Sequence, residues 1–487
     1  MFGLDRAPVR RGADAMTVLL VLHAIVAATA SAHVLLHKRD VRAAFGWVAT
    51  VWFAPALGPA LYALFGLNRI TRRAERLGRH HSVASRGAPT DERGACSLRA
   101  PAATLNAVGR QVSGNDLTFA NTCRAFENGT ESYPHMLDAI EGARHSIALA
   151  SYIFRADRVG ETFTDALLRA QGRGVDVRVL VDSVGSGLFS PVVRRLAAEG
   201  IRVVRFTRDL RPWRMTFLNL RNHKKVLAVD GRTAFVGGLN FSDENLAGGE
   251  GGDLLVRDVH FRVEGPVVRQ VVESFAADIS MATGEQLRGA AWFPDLPGGN
   301  AAAPDGRGAM RAISSGPDGT LGAIETLLAV ALSQARERVR IVTPYFLPDR
   351  VLSTLLRLAA LKGVRVEIVV PERSDNPLFQ MAFRANLRFA RNDGLRIGLS
   401  SPPFDHAKLV TVDAGWCAFG SPNWDVRSLR LNFELLVECY DPQVIAICDA
   451  LIDARMAAAR PLHPRDLDAG RPRRVLDATA RLLLPYL

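Results

Sequence analysis

The chain has 487 residues, with 61 Lys+Arg against 49 Asp+Glu and a net charge of +12. That length holds two or three domains with substantial cores. The basic excess points to an anionic partner: a phospholipid surface, nucleic acid or a phosphorylated substrate. No glycine/serine tract or long charge block marks a fibrous or disordered chain. The five cysteines are odd in number and contain no CxxC, so they read as reduced thiols that fill space in a core. No His/Cys cluster has zinc-ligand spacing.

The N-terminus carries two uncharged apolar runs. Met16–Leu36 has 21 residues and Ala43–Leu67 has 25, separated by the short stretch HKRDVR. Each is long enough to cross a hydrocarbon layer ~30 Å thick as a helix. A transmembrane hairpin over residues 1–70 is therefore expected, with spans at 16–36 and 43–67. Pro55 and Pro59 should kink the second span, and Trp47 and Tyr62 should sit near its two interfaces. A competing reading of the first run is a cleaved signal peptide, given Arg6, Arg10 and Arg11 before it and ATASA at its end. The short loop carries Lys38, Arg39 and Arg42, and Arg69, Arg72, Arg73, Arg76 and Arg79 follow the second run. The larger count lies on the side of the tail and the soluble part, which places both in the cytoplasm and the protein as multi-pass in the inner membrane. The basic stretch 69–79 is placed to meet anionic headgroups. Residues 71–115 are polar and read as a linker.

The soluble part repeats itself. SIALASYIFRADRVGETFTDALLRAQGRGVDVRVLVD (146–182) and RVRIVTPYFLPDRVLSTLLRLAALKGVRVEIVVP (338–371) each run apolar strand, Tyr with Phe close behind, amphipathic helix, Gly-Val turn, apolar strand. That is one β-α-β unit, twice. Two copies of one α/β domain are expected, at 116–295 and 296–487, packed about a pseudo-twofold axis.

A polar pattern follows each unit. His223, Lys225, Asp230 and Gly237-Gly238-Leu239-Asn240 recur with the same spacing as His406, Lys408, Asp413 and Gly420-Ser421-Pro422-Asn423. Residues i and i+2 of a strand share a face, so each His and Lys point together. Asp230 and Asp413, at an odd offset, face away or open a turn, which reads as mainly structural. Gly238 and Ser421 lie where a backbone can approach a phosphate, and the amides of Asn240 and Asn423 can donate to its oxygens. A lone His on an apolar strand is usually a satisfied core residue. Two copies at matching offsets inside a domain repeat are not explained that way.

The duplicated His-Lys-Asp pattern resembles the signature of the phospholipase D superfamily. GSPNWDVRSLRLNFELLVE (420–438), SYIF, VTPYFLPD and the apolar N-terminus resemble the bacterial cardiolipin synthases within it. The resemblance implies mixed sheets flanked by helices and a catalytic set of His223, Lys225, Asp230, His406, Lys408 and Asp413. It implies phosphatidyl transfer between two phosphatidylglycerol molecules, giving cardiolipin and glycerol through a phosphohistidine, with no cofactor or metal and no nucleic acid partner. His223 is the implied nucleophile and His406 the acid/base, and the near-symmetry leaves the reverse open. Glu434, 28 residues after His406, matches the carboxylate that orients that histidine. Setting HFRVE (260–264) against ELLVE (434–438) puts His260 opposite Glu434 and Asp258 opposite Asn432, so either Asp258 or His260 orients the first histidine. Asp425 with Arg427, and Asp243 with Glu244, read as loop supports. Tyr152 and Tyr345 either line the cleft or pack. A phospholipase D hydrolase or a transphosphatidylase with another acceptor would use the same residues. A membrane-tethered nuclease would share the motif, and a lipid-binding scaffold would not need both histidines.

Overall fold

The computed structural model describes residues 7–38, 40–66, 102–187, 190–206, 220–246, 255–296, 307–317, 320–390, 394–468 and 470–482. The basic stretch 69–79 and most of the expected linker lie outside them. The chain divides into two units, Met1–Arg73 with Leu210–Phe217, and Ala74–Asp209 with Leu218–Leu487.

In the first unit, α1 (Ala7–His37) contains one uninterrupted apolar segment, Met16–His37, long enough to cross a membrane. The second expected span is not one helix. Asp40 caps α2 (Val41–Phe53) by accepting from the Ala43 N–H at 2.7 Å, and α2 then stops. Pro55 has no N–H to continue the ladder and constrains the residue before it. The chain resumes as the short α3 (Leu57–Leu61) and a π-turn at Tyr62–Gly66. Trp47 and Tyr62 do not stand at opposite ends of the stretch as expected. The Tyr62 ring packs 5.4 Å from Trp47, and its hydroxyl pairs with His33 Nδ1 at 2.7 Å.

The second unit is built on two mixed sheets. The first contains β1 (Thr122–Glu127), β2 (Ser146–Ser151), β3 (Asp176–Asp182), β4 (Arg202–Phe206), β6 (Val226–Val229), β7 (Thr233–Gly237) and β9 (Val259–Glu264), in the order β1-β9-β7-β6-β2-β3-β4. The second contains β10 (Met310–Ser315), β11 (Arg338–Val342), β13 (Arg365–Pro371), β14 (Arg396–Ser400), β16 (Leu409–Val412), β17 (Trp416–Gly420) and β19 (Asn432–Cys439), and it follows the same path. The helices Arg158–Gly172 and Arg350–Leu361 cross over between the parallel pairs β2/β3 and β11/β13. Their apolar stripes bury Phe163 and Leu167 in one half, and Leu352 and Leu356 in the other.

Short strands join the halves reciprocally. β5 (Arg221–Asn222) pairs with the start of β19, and β15 (Phe404–Asp405) pairs with β8 (Val256–Arg257), just ahead of β9. The His223 N–H donates to the Phe433 carbonyl at 2.9 Å, and the His406 N–H to the Arg257 carbonyl at 2.6 Å. Phe261 and Phe419 stack between the sheets at 3.8 Å. Each histidine thus enters its own sheet from a strand paired with the other half.

Residues 102–113, expected within the linker, form a helix that belongs with the second half. Arg311 of β10 is fully buried, bonds Glu438 at 2.6 Å, and donates to the carbonyls of Asn106 and Asn115. A Cβ at Gly109 would stand 2.4 Å from the Arg311 guanidinium, so glycine is what allows this approach.

Candidate active site

The site begins where β6 and β16 begin. Asp230 and Asp413 end these strands in the left-handed region, at φ 53°. The Asp230 carboxylate accepts the backbone N–H groups of Arg144, His145 and Ser146. Asp413 does the same for Arg336, Glu337 and Arg338. Each therefore pins the entry of the neighbouring strand, and neither lines the cleft.

At the other end of these strands, His223 and His406 line one cavity of about 290 Å³, room for roughly ten waters. Tyr152, Tyr345, Asn240 and Asn423 line it too. The Tyr152 ring meets His223 edge-on at 4.9 Å. Asn240 Oδ1 accepts from the Ile153 N–H at 3.2 Å, which turns its amide NH₂ away from that residue. Lys225 and Lys408 are not on the wall. Each Nζ donates to the carbonyl of the histidine two residues before it. Lys224, between His223 and Lys225 in sequence, points the other way and pairs with Asp278 at 2.9 Å.

The orienting carboxylates cross between the halves. Glu434 binds His223 Nδ1 at 3.1 Å, and Asp258 binds His406 Nδ1 at 2.8 Å. This corrects the assignment of Glu434 to His406. The sheet register gives the reason. Gly237 stands opposite His260, whereas the equivalent Gly420 stands opposite Leu436. His260 therefore matches Leu436, and Asp258 matches Glu434. Matching the two Val-Glu pairs instead displaces the alignment by two residues, which keeps the face and hides the error. His260 is buried beside the site, where its Nδ1 accepts the Leu239 N–H at 3.4 Å, and it orients neither histidine.

Gly238 and Ser421 also differ from their expected role. Neither lines the cleft. A Cβ on Gly238 would lie 2.3 Å from the Asp258 carboxylate. The Ser421 hydroxyl donates to Glu434. Both positions serve the carboxylates and not a phosphate. The loop after Asn423 is held by Asp425, which accepts the Ser428 N–H at 2.8 Å, while Arg427 lines the cleft. In the first half, Asp243 accepts the Val159 N–H at 2.8 Å and Glu244 pairs with Arg155 at 2.8 Å.

Burial dominates the electrostatics. It lowers His223 to about 4, helped by Lys225 and Lys408 and opposed by Glu434. It lowers His406 in the same direction, helped by Lys408 and opposed by Asp258. It lowers Lys225 to about 7, with Lys408 adding to the effect, and Lys408 to about 8. Burial alone would raise Asp258 and Glu434. The bonds to their histidines and the charges of the lysines outweigh it and hold both carboxyls below their ordinary range. Both carboxylates are thus ionised at neutral pH. With each Nδ1–H held by a carboxylate, the Nε2 lone pair of a neutral imidazole is left for chemistry.

A family model described as "Cardiolipin synthase, PLD-like domain" matches residues 136–279 and 328–456. The chain belongs to this family. Cardiolipin synthase A of Pseudomonas aeruginosa (strain LESB58) is 32% identical, across 99% of this chain and 98% of that protein. Cardiolipin synthase 1 of Bacillus anthracis is 30% identical, across 88% of this chain and 86% of that protein. The crystal structure of a phosphatidylserine synthase from Haemophilus influenzae Rd KW20 superposes with a TM-score of 0.60 at 16% identity, over 78% of this chain and 100% of that one. At that identity the likeness is one of fold. The family's phospholipase D-like fold carries a further residue into the cleft that spacing does not single out: Arg221 donates to the Tyr152 hydroxyl at 2.6 Å. Its position two residues before His223 was the available signal.

Proposed function

We propose that this enzyme is a cardiolipin synthase that transfers a phosphatidyl group between two phosphatidylglycerol molecules, releasing glycerol. The relatives carry the name cardiolipin synthase. The observation that carries the reading on this chain is the pair of histidines in one cavity, each with Nδ1 fixed by a carboxylate of the opposite half.

His223 Nε2 attacks the donor phosphorus. The bond from phosphorus to the glycerol headgroup oxygen breaks, and His406 in its protonated form gives that oxygen a proton. The products of this half-reaction are glycerol and a phosphatidyl-histidine. His406, now neutral, takes the proton from the incoming hydroxyl of the second lipid. That oxygen attacks phosphorus, the N–P bond breaks, and cardiolipin leaves with His223 restored. The low pKa of His223 suits the nucleophile, which must be neutral. A bound phosphodiester anion raises the neighbouring His406 and favours the imidazolium that the first step needs. Lys225 and Lys408, just beneath the wall, supply positive potential to the developing oxyanion, and Asn240 and Asn423 donate to its oxygens. No step requires a metal or cofactor.

In this reading, residues 116–295 and 296–487 are the two phospholipase D-like domains about a pseudo-twofold axis. Phospholipid substrates place the enzyme at a bilayer, which the apolar α1 supports. We take the broken second stretch as the return crossing, with the catalytic unit on the cytoplasmic face of the inner membrane.

The test is incubation of the purified full chain in detergent with radiolabelled phosphatidylglycerol and a chelator, beside His223→Ala. Labelled cardiolipin with glycerol release, lost in the variant, is the expected result. Phosphatidic acid alone would make the enzyme a hydrolase, and cleavage of DNA without lipid turnover would make it a nuclease.

A further inference from the structure

The two halves repeat their cleft residues closely, with Tyr152 matching Tyr345, His223 matching His406 and Asn240 matching Asn423. The match fails at several positions, two of which concern arginine. Two residues before the histidine, the first half has Arg221 and the second has Phe404. Four residues after the asparagine, the second half has Arg427 and the first has Glu244. The crossed pairing of the halves brings both arginines to one cavity, while Glu244 turns to Arg155 outside it. The tyrosines record the same asymmetry. Tyr152 takes a bond from Arg221, and Tyr345 gives one to Asp375 at 2.5 Å. The end at Tyr152 therefore gathers both arginines, with Asp425 also lining the cleft. The other holds Asp375, Leu347 and Phe379.

The arginine pair is built at a cost. Arg427 is only 8% exposed. Burial lowers its pKa, and Arg221 is the charge that lowers it further. Arg221 Nε is buried without a partner. Asp182 and Asp425 favour the charge of Arg427 while also accepting backbone N–H groups, Asp182 those of Asn222, Val184 and Gly185, and Asp425 that of Ser428. Two guanidiniums brought together in this way match the oxygens of one phosphodiester, the anion that their planar forks bind best.

We propose that Arg221 and Arg427 form a second phosphate subsite, which holds the phosphodiester of the acceptor lipid. This rests on the transfer reaction above. The reacting phosphate occupies the histidines, lysines and asparagines, so a second anion site has no use in attack by water or a neutral alcohol. It has a use when the acceptor is itself an anionic glycerophospholipid with a free hydroxyl on its headgroup. The product then carries two phosphates, one at each subsite. The arginines are specificity residues on this account and touch the acceptor, not the reacting phosphorus.

The experiment sets two acceptors in competition. The full chain in mixed micelles receives acyl-labelled phosphatidylglycerol, excess unlabelled phosphatidylglycerol and butanol, and the ratio of labelled cardiolipin to phosphatidylbutanol is read. In Arg221→Gln and Arg427→Gln that ratio is expected to fall about tenfold or more, since the charged acceptor alone loses its contact. Arg427→Lys keeps the charge and loses the fork, so its ratio should fall by about two- to fivefold, and it carries the test if a Gln variant does not fold. A parallel fall of both products, with the ratio within about twofold of wild type in all variants, overturns the proposal. Phosphatidylbutanol without cardiolipin from the wild-type enzyme would instead sink the synthase reading itself.

Discussion

His223 and Glu434 stand 211 positions apart in the chain, yet the Glu434 carboxylate meets His223 Nδ1 at 3.1 Å. The reciprocal pair, His406 with Asp258, spans 148 positions at 2.8 Å. Neither half holds a complete histidine site alone. The short strands β5 and β15 cause this, because each delivers a histidine alongside the other half's β19 or β8 and next to its carboxylate.

Removing either carboxylate's charge should therefore cripple the enzyme. Glu434→Gln and Asp258→Asn are each expected to lower kcat by about 100-fold, the scale seen when the group holding a functional imidazole is lost. His260→Phe should cost about 1–3 kcal/mol of stability through its lost bond to Leu239 and a changed core shape, with kcat within a few-fold of wild type. Steady-state rates and thermal unfolding of the three variants check this. An Asp258→Asn enzyme at wild-type speed would mean that the crossed pairing is idle.

The two positions before the asparagine loops predict an asymmetric response. Gly238→Ala places a methyl group 2.3 Å from the Asp258 carboxylate and must displace it from His406. We expect kcat to fall by about tenfold or more, since small misplacements of positioned groups are costly. Ser421→Ala adds no atom. It deletes the hydroxyl's bond to the buried Glu434 and its acceptance of the Leu435 N–H, for about 1–3 kcal/mol of stability and a smaller change in rate. Comparing kcat with the unfolding midpoint in both variants separates the two effects. Equal losses of rate would show that the space at Gly238 has no special role.

How much of this was legible in the sequence follows from which interactions are local. The β-α-β repeat and the paired His-x-Lys runs follow from strand and helix periodicity, which one segment carries by itself. A turn at Asp230 and Asp413 was one reading of the glycine-containing residues after them, but its left-handed geometry was not legible there. Nor were the carboxylate partners, because a sheet register and an inter-half strand decide them. Glu434 lies 28 residues from His406, which reads as an intradomain pair until β5 is seen beside β19. The helix Ala102–Ser113 was hidden for a related reason. It follows a polar stretch, and its place depends on Arg311, some 200 residues later. The end of α2 before Pro55 shows local chemistry breaking the single helix that the apolar length suggested.

Asp230 and Asp413 are expected to matter for folding and not for turnover. Asp230→Ala removes an acceptor from three backbone N–H groups and leaves a side chain ill suited to φ 53°. A loss of about 2–3 kcal/mol is expected, with kcat per folded molecule nearly unchanged. Asp230→Asn keeps one acceptor oxygen and tolerates the left-handed region, so it should lose less. Unfolding curves together with active-site titration distinguish these outcomes. A large fall in kcat for a well-folded Asp230→Asn would return this residue to the catalytic set.

The lysines set the pH behaviour. Lys225, lowered to about 7 by burial, and Lys408, lowered to about 8, lose their protons in the empty site as pH rises through that range. The uncharged site binds a phosphodiester less well, so kcat/KM should decline above about pH 7–8, because it reports the free enzyme. The same shift makes a statement about stability. A lysine whose folded pKa lies below its unfolded value of about 10.4 binds fewer protons folded than unfolded between the two, so its charge opposes folding at neutral pH. That penalty is absent above the unfolded value and fully present below the folded one. Lys225→Met should therefore abolish activity while leaving the thermal midpoint at neutral pH equal to wild type or higher, as when apolar groups replace buried charges. The attraction of Lys225 to Glu434 works the other way, but the net downward shift shows that burial and Lys408 outweigh it. A clear drop in midpoint for Lys225→Met would show that the pairing with Glu434 dominates. The decline of kcat/KM should then move to higher pH.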